Sequence, residues 1–101
     1  MSRRPDPITE CFAARTAAWF ASEGLAAVSD RAYLRQMNMA IALAASRWNE
    51  LAAGSDAVSD MRAWLDEVRR RAVVRNAQAR VEAIDRACSW FEACAESADR
   101  A

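Results

Sequence analysis

Histidine and lysine are both absent from this 101-residue sequence, in which all 14 basic residues are arginine. Histidine is the commonest general base, and lysine is the side chain that forms Schiff bases with carbonyl substrates. Histidine nitrogen is also a usual ligand of zinc. The sequence therefore predicts a protein that is not an enzyme and that uses no metal and no cofactor.

Glycine and proline are scarce, with two residues of each. Gly24 and Gly54 are isolated, so the sequence has no glycine-rich loop of the type that binds phosphate, and no small-molecule substrate is evident. Hydrophobic residues make up 53% of the chain, and alanine is the commonest residue. This composition favours helices over strands or disorder, so we expect a single all-α domain.

Long apolar runs are also missing. No stretch approaches the roughly 20 apolar residues that a membrane-spanning helix requires. Asp6, Glu10 and Arg15 interrupt the apolar core that a secretory signal would need. The three cysteines are odd in number and lack metal-binding spacing, which favours buried free thiols in a reducing compartment. We therefore expect a cytoplasmic protein that does not bind membranes.

Capping residues and apolar spacing divide the chain into an arm and three or four helices. Asp6 suits a helix N-cap and Pro7 the first helical position, while glycines close the first two helices. The predicted segments are a flexible arm at 1–5 and helices at about 7–23, 30–53, 57–73 and 77–98. The helix at 30–53 is apolar around most of its circumference, so we expect it to be the most buried one.

The last two predicted helices are alternatively one continuous helix, because no glycine or proline follows Ser59. A break is favoured by Asn76, which tolerates the left-handed conformation, and by Val73 and Val74, which are weak helix formers. Continuity is favoured by residues beyond Asn76 that extend the apolar stripe before it: Ala79, Ala83, Trp90 and Cys94. The sequence thus predicts a small bundle of three to four helices, with a C-terminal helix that is long or kinked near Asn76.

The C-terminal segment has apolar residues on two faces, and we expect that one neighbouring helix cannot cover both. We therefore expect this segment to offer an interface to another protein, or to a second copy of the chain in a homodimer. The residues predicted to form this protein interface are Val81, Ile84, Cys88, Trp90 and Phe91.

Arginines are concentrated between residues 68 and 81, where no acidic residue occurs. This basic patch consists of Arg69, Arg70, Arg71, Arg75 and Arg80. Guanidinium groups bind phosphates, so a regulator that binds nucleic acid is the alternative interpretation. Against it, the five side chains point in different directions on a continuous helix, and the flanking segments are net acidic.

These observations favour a small non-catalytic interaction module, acting as a regulator, adaptor or inhibitor that binds or occludes a partner protein. Proteins of this size and simplicity include anti-defence proteins carried by phages or mobile elements, although no residue specifically supports that origin.

Overall fold

The computed structural model describes residues 6–24 and 30–100, which form an all-α four-helix bundle. The helices are α1 (Pro7–Trp19), α2 (Arg31–Leu51), α3 (Ala57–Val74) and α4 (Gln78–Arg100). A π-helical turn, Phe20–Gly24, extends α1. The predicted fold class is confirmed, whereas the predicted arm at 1–5 lies outside the described residues.

The N-terminus of α1 is capped as predicted, with Asp6 at the N-cap and Pro7 in the first turn. Asp6 accepts hydrogen bonds from the backbone amides of Ile8 and Thr9, at 3.1 and 3.3 Å. Its Oδ2 also accepts one from the Thr9 hydroxyl, at 2.6 Å, and one from the indole Nε1 of Trp48 on α2, at 2.5 Å. The cap residue therefore also joins the start of α1 to the end of α2.

We expect Asp6→Ala to lower the free energy of unfolding by about 2 kcal/mol at neutral pH, through the lost cap and the unpaired Trp48 indole. Partial burial raises the pKa of Asp6, but hydrogen bonds from Thr9, Trp48 and the backbone amides outweigh burial and lower the pKa below its ordinary 3.8. A carboxyl group whose pKa is lowered in the folded protein adds stability at pH values above its ordinary pKa. This contribution is lost as the pH falls through the lowered pKa.

The matched control is Asp6→Asn, which keeps an oxygen acceptor at the cap but cannot ionise. The difference in unfolding free energy between the wild type and Asp6→Asn, measured by urea denaturation, should shrink as the pH drops below 3.8. A difference that stays constant across this range would show that the ionised carboxylate is not what stabilises the cap.

The helical run is interrupted between α3 and α4. Of the two alternatives left by the sequence, the one with four helices is therefore right. Asn76 adopts a φ of 55°, in the left-handed region that asparagine tolerates better than other non-glycine residues. The turn is closed by two backbone hydrogen bonds, from the Asn76 amide to the Val73 carbonyl and from the Ala77 amide to the Ala72 carbonyl, both at 3.0 Å. Asparagine at this one position therefore lets α4 fold back along α3.

α2 and α4 each pack against α1, against α3 and against each other, which places α1 and α3 at opposite corners of the bundle. α4 contributes the largest number of buried side chains: Val81, Ala83, Ile84, Ala87, Phe91, Cys94 and Ala95. α2 buries fewer and exposes Met39 and Leu43 to solvent. The prediction that α2 is the most buried helix is therefore wrong, and α4 takes that position.

A disulfide joins Cys11 on α1 to Cys94 on α4, with their Cα atoms 5.6 Å apart. The prediction of three free thiols is therefore wrong for these two residues, and it holds for the half-buried Cys88. The bond connects residues 83 positions apart in sequence. It ties the first helix to the last, which no feature of the spacing along the chain indicates.

Candidate protein interface

The predicted interface on α4 lies mostly inside the protomer. Val81, Ile84 and Phe91 are all buried, and Phe91 is only 1% exposed. The Phe91 ring lies 5.3 Å from the ring of Trp48 on α2, centroid to centroid. These three side chains belong to the hydrophobic core, so the prediction that they face another chain needs correction.

Cys88 and Trp90 are half-buried and pack against the same core. Trp90 presents an edge-to-face contact to Phe12 on α1, with ring centroids 5.9 Å apart. The two apolar stripes of α4 are therefore adjacent parts of one broad face, covered by α1, α2 and α3 together. The prediction failed because it assumed that a single neighbouring helix would have to cover both stripes.

Three of the five arginines in the predicted basic patch form ion pairs on the surface. Arg69 on α3 donates to Asp85 on α4, with a nitrogen–oxygen distance of 2.6 Å. Arg70 and Arg71 both pair with Glu67, one turn earlier on α3, at 2.6 and 3.1 Å. The hydrogen bond from Arg70 is the main cause that lowers the pKa of Glu67. Three of the five guanidinium groups thus contact acids, but these are only two carboxylates, Glu67 and Asp85, so the patch keeps a net positive charge.

Arg75 and Arg80 are left without a carboxylate partner within 4.0 Å in the part of the chain that the structure describes. Arg80 donates a long hydrogen bond, 3.4 Å, to the side-chain oxygen of Gln36. Both arginines lie beside the same concave surface, so the turn at Asn76 brings together side chains that a continuous helix would separate.

That surface is a groove of about 220 Å³ between α2 and α3, with α4 as its floor. We call it the α2–α3 groove. Its lining residues are Gln36, Met39, Ala40, Leu43, Trp64, Leu65, Val68, Arg71, Ala72, Arg75, Arg80, Ile84 and Ala87. The lining therefore combines apolar side chains with three arginines, and it contains no acidic residue among the described ones.

Helical spacing positions the two walls of the α2–α3 groove. On α2, Met39 and Leu43 are four residues apart and lie on one face, where they are 39% and 51% exposed. On α3, the apolar residues Trp64 and Val68 continue along the wall to Arg71 and Arg75. Each wall thus presents a row of side chains to whatever enters the groove.

Trp64 is further fixed by a cation–π contact, because the guanidinium carbon of Arg47 lies 5.9 Å from its ring centroid. Arg47 also pairs with Glu50, at 2.9 Å. At the end of the groove near Trp64, the charge of Arg47 is therefore compensated by Glu50. The positive charge of the lining is concentrated at the other end, near the turn at Asn76.

A second cavity, of about 370 Å³, lies between α1 and α2 and is mostly apolar. Ile8, Phe12 and Trp48 line it, together with the hydroxyl-bearing Thr9 and Thr16. Both hydroxyls already donate hydrogen bonds, to Asp6 and to the Phe12 carbonyl respectively. The cavity contains no charged lining residue, so it offers little that would select one ligand over another.

The sequence did not predict the α2–α3 groove because Met39 and Leu43 belong to an apolar stretch whose composition indicates burial in the core. A signal was present: the stretch from Met37 to Ala45 is apolar on more of the circumference of α2 than one core-facing stripe requires. A helix that is apolar beyond its core-facing stripe is either deeply buried or exposes an apolar surface. In the structure, Met39 and Leu43 belong to an exposed apolar surface.

Fold and groove together define a small all-α bundle with an apolar groove that arginines border at one end. No protein-family model, curated protein or solved structure matches the chain. None of the helices in the described ranges is both long and apolar enough to cross a lipid bilayer. Across residues 6–24 and 30–100, no three His, Cys, Asp or Glu side chains are grouped in a way that could hold a metal ion.

Proposed function

We propose that the protein is a non-catalytic interaction module that regulates or inhibits a partner protein by binding it through the α2–α3 groove. The observation that carries the proposal is the exposure of Met39 and Leu43 beside Arg75 and Arg80. Protein interfaces are enriched in methionine, aromatic residues and arginine, all of which occur in this groove. The proposed interface therefore differs from the α4 face predicted by the sequence.

Among the described residues, Val73 and Val74 are also large, exposed apolar side chains, and both lie at the end of α3. Neither lines the α2–α3 groove, and isolated exposed apolar residues are normal on protein surfaces. Exposure alone thus does not distinguish Met39 and Leu43 from Val73 and Val74. Met39 and Leu43 differ because they lie in a concave surface with charged and aromatic neighbours.

Nucleic-acid binding is the alternative proposal, and the structure supports it less. A phosphate backbone is bound by a row of free basic groups, whereas Arg69, Arg70 and Arg71 are paired with acids. The two remaining arginines, Arg75 and Arg80, lie beside apolar side chains, and a phosphate makes no favourable contact with apolar side chains. A protein surface provides partners for both kinds of side chain.

Selection of a randomised peptide library against the folded protein tests the proposed function. We expect the recovered binders to lose affinity for Leu43→Glu, because a carboxylate would project into the apolar part of the groove. The matched control is Val74→Glu, which places the same charge on a side chain that is 74% exposed and outside the groove. Binders that tolerate Leu43→Glu as well as they tolerate Val74→Glu would contradict the proposal.

The proposal places the site of action in the cytoplasm, and the disulfide bears on that placement. The expectation of free thiols is one of the grounds on which the sequence favours the cytoplasm, and the Cys11–Cys94 bond removes that ground. Structural disulfides persist mainly in oxidising compartments. Alkylation of the protein in intact cells measures whether the bond exists where the protein acts.

A further inference from the structure

We infer that the α2–α3 groove receives an acidic amphipathic helix of a partner protein. This inference rests on the proposed function and adds the chemistry of the partner to it. The helix would place apolar side chains on Met39, Leu43 and Trp64 and carboxylates on the arginines at the Asn76 end of the groove.

The charge of the lining selects an acidic partner. Arg75 and Arg80 line the groove together with Arg71, which is already paired with Glu67, and no aspartate or glutamate of the described chain lines it with them. Arg75 and Arg80 have no carboxylate within 4.0 Å among the described residues. Arginine binds carboxylates with two parallel hydrogen bonds, so free guanidinium groups at the edge of a groove favour Glu and Asp side chains on the occupant.

The shape of the groove selects a helix. Its walls are two neighbouring helices, and the exposed pair Met39 and Leu43 repeats at an interval of four residues. Four residues advance an α-helix by about 6 Å, which is also the spacing of apolar side chains on one face of a bound helix. Grooves between helices commonly bind an amphipathic helix through such anchors.

The separation of apolar and basic residues sets the direction of the occupant. The apolar side chains lie along the middle of the groove, and the three arginines lie towards the turn that joins α3 to α4. Acidic residues are also favoured near the N-terminus of a helix, where the macrodipole is positive. A helix that carries its carboxylates in its first turns would therefore enter with its N-terminus near Arg75 and Arg80.

Two synthetic helical peptides with identical apolar residues test the inference, one with glutamates in its first turns and one with lysines at the same positions. Methionine methyl NMR locates the binding site. The Met39 methyl lies in the α2–α3 groove, while Met61 lines the α1–α2 cavity and Met37 is fully buried. We expect the acidic peptide to shift the Met39 signal and to bind about tenfold or more tightly than the basic one, from several exposed ion pairs acting together.

The double variant Arg75→Glu/Arg80→Glu should reverse this preference. Its matched control is Arg15→Glu/Arg100→Glu, which changes the net charge equally at exposed positions outside the groove and should keep the preference for the acidic peptide. Unchanged Met37 and Met61 signals in each variant establish that the fold is intact.

Four outcomes would overturn the inference. Equal binding of both peptides at Met39 would refute the charge selection and leave the proposed function standing, whereas failure of both peptides to shift Met39 would refute a helical occupant. A Met39 shift produced by duplex DNA at low salt, but by neither peptide, would assign the groove to nucleic acid. Dimerisation that Leu43→Glu abolishes in sedimentation experiments would assign it to a second copy of the chain.

Discussion

Replacing Phe91 with alanine is expected to lower the free energy of unfolding by about 3–5 kcal/mol, because it leaves a large cavity in the centre of the bundle. The Phe91 side chain is 1% exposed and packs against the ring of Trp48, where burial of both aromatic groups contributes to stability. Urea denaturation at neutral pH measures the effect. The denaturation midpoint should fall while the slope of the transition stays nearly constant.

The matched control for Phe91→Ala is Leu43→Ala. Leu43 is 51% exposed in the α2–α3 groove, so its truncation should change the unfolding free energy by less than about 1 kcal/mol. The pair separates a core residue from a surface residue of similar apolar character. If Phe91→Ala left stability unchanged, the α4 face would be a surface after all, and the interface predicted from the sequence would be restored.

Removing the Cys11–Cys94 bond is expected to cost about 4 kcal/mol of unfolding free energy. The bond closes a loop over 83 positions of the sequence and so restricts the unfolded chain strongly. The double variant Cys11→Ser/Cys94→Ser and the wild type in reductant should both show the loss. Cys88→Ser, which removes the free thiol, should leave stability nearly unchanged because its side chain is only half-buried.

Alkylation gives the independent check on the disulfide. In denaturant without reductant, only Cys88 should be labelled, since Cys11 and Cys94 are bonded to each other. In the folded protein, Cys88 should react slowly at neutral pH, because burial, followed by the Asp85 and Asp66 carboxylates, raises the pKa of its thiol to about 11. Labelling of all three cysteines in denaturant without reductant would show that the bond is absent.

Much of the fold was predictable because its determinants are local. Asp6 and Pro7 set the start of α1, and apolar spacing set the approximate limits of the remaining helices. The break at Asn76 stayed open because two local signals conflict there. The tolerance of asparagine for positive φ favours a turn, whereas the missing glycine and proline favour continuity. The packing of α4 against α3 decides between them.

The candidate site was not predictable in the same way, because it depends on which helices become neighbours. Periodicity showed that α4 has a wide apolar face, and it could not show that three helices of the same chain cover it. For α2, the sequence could not show that Leu43 would be left exposed. The pairing of Cys11 with Cys94 is equally a property of the assembled bundle. The sequence shows where the arginines are concentrated, but their ion pairs with Glu67 and Asp85 depend on rotamers and on packing.

Site-specific photo-crosslinking tests directly whether the α2–α3 groove is the binding surface. A photoreactive p-benzoylphenylalanine is placed at position 43, inside the groove, or at position 74, an exposed apolar position outside it. We expect the acidic helical peptide to crosslink at position 43 and not at position 74. Crosslinking at position 74, or equally at both positions, would contradict this expectation.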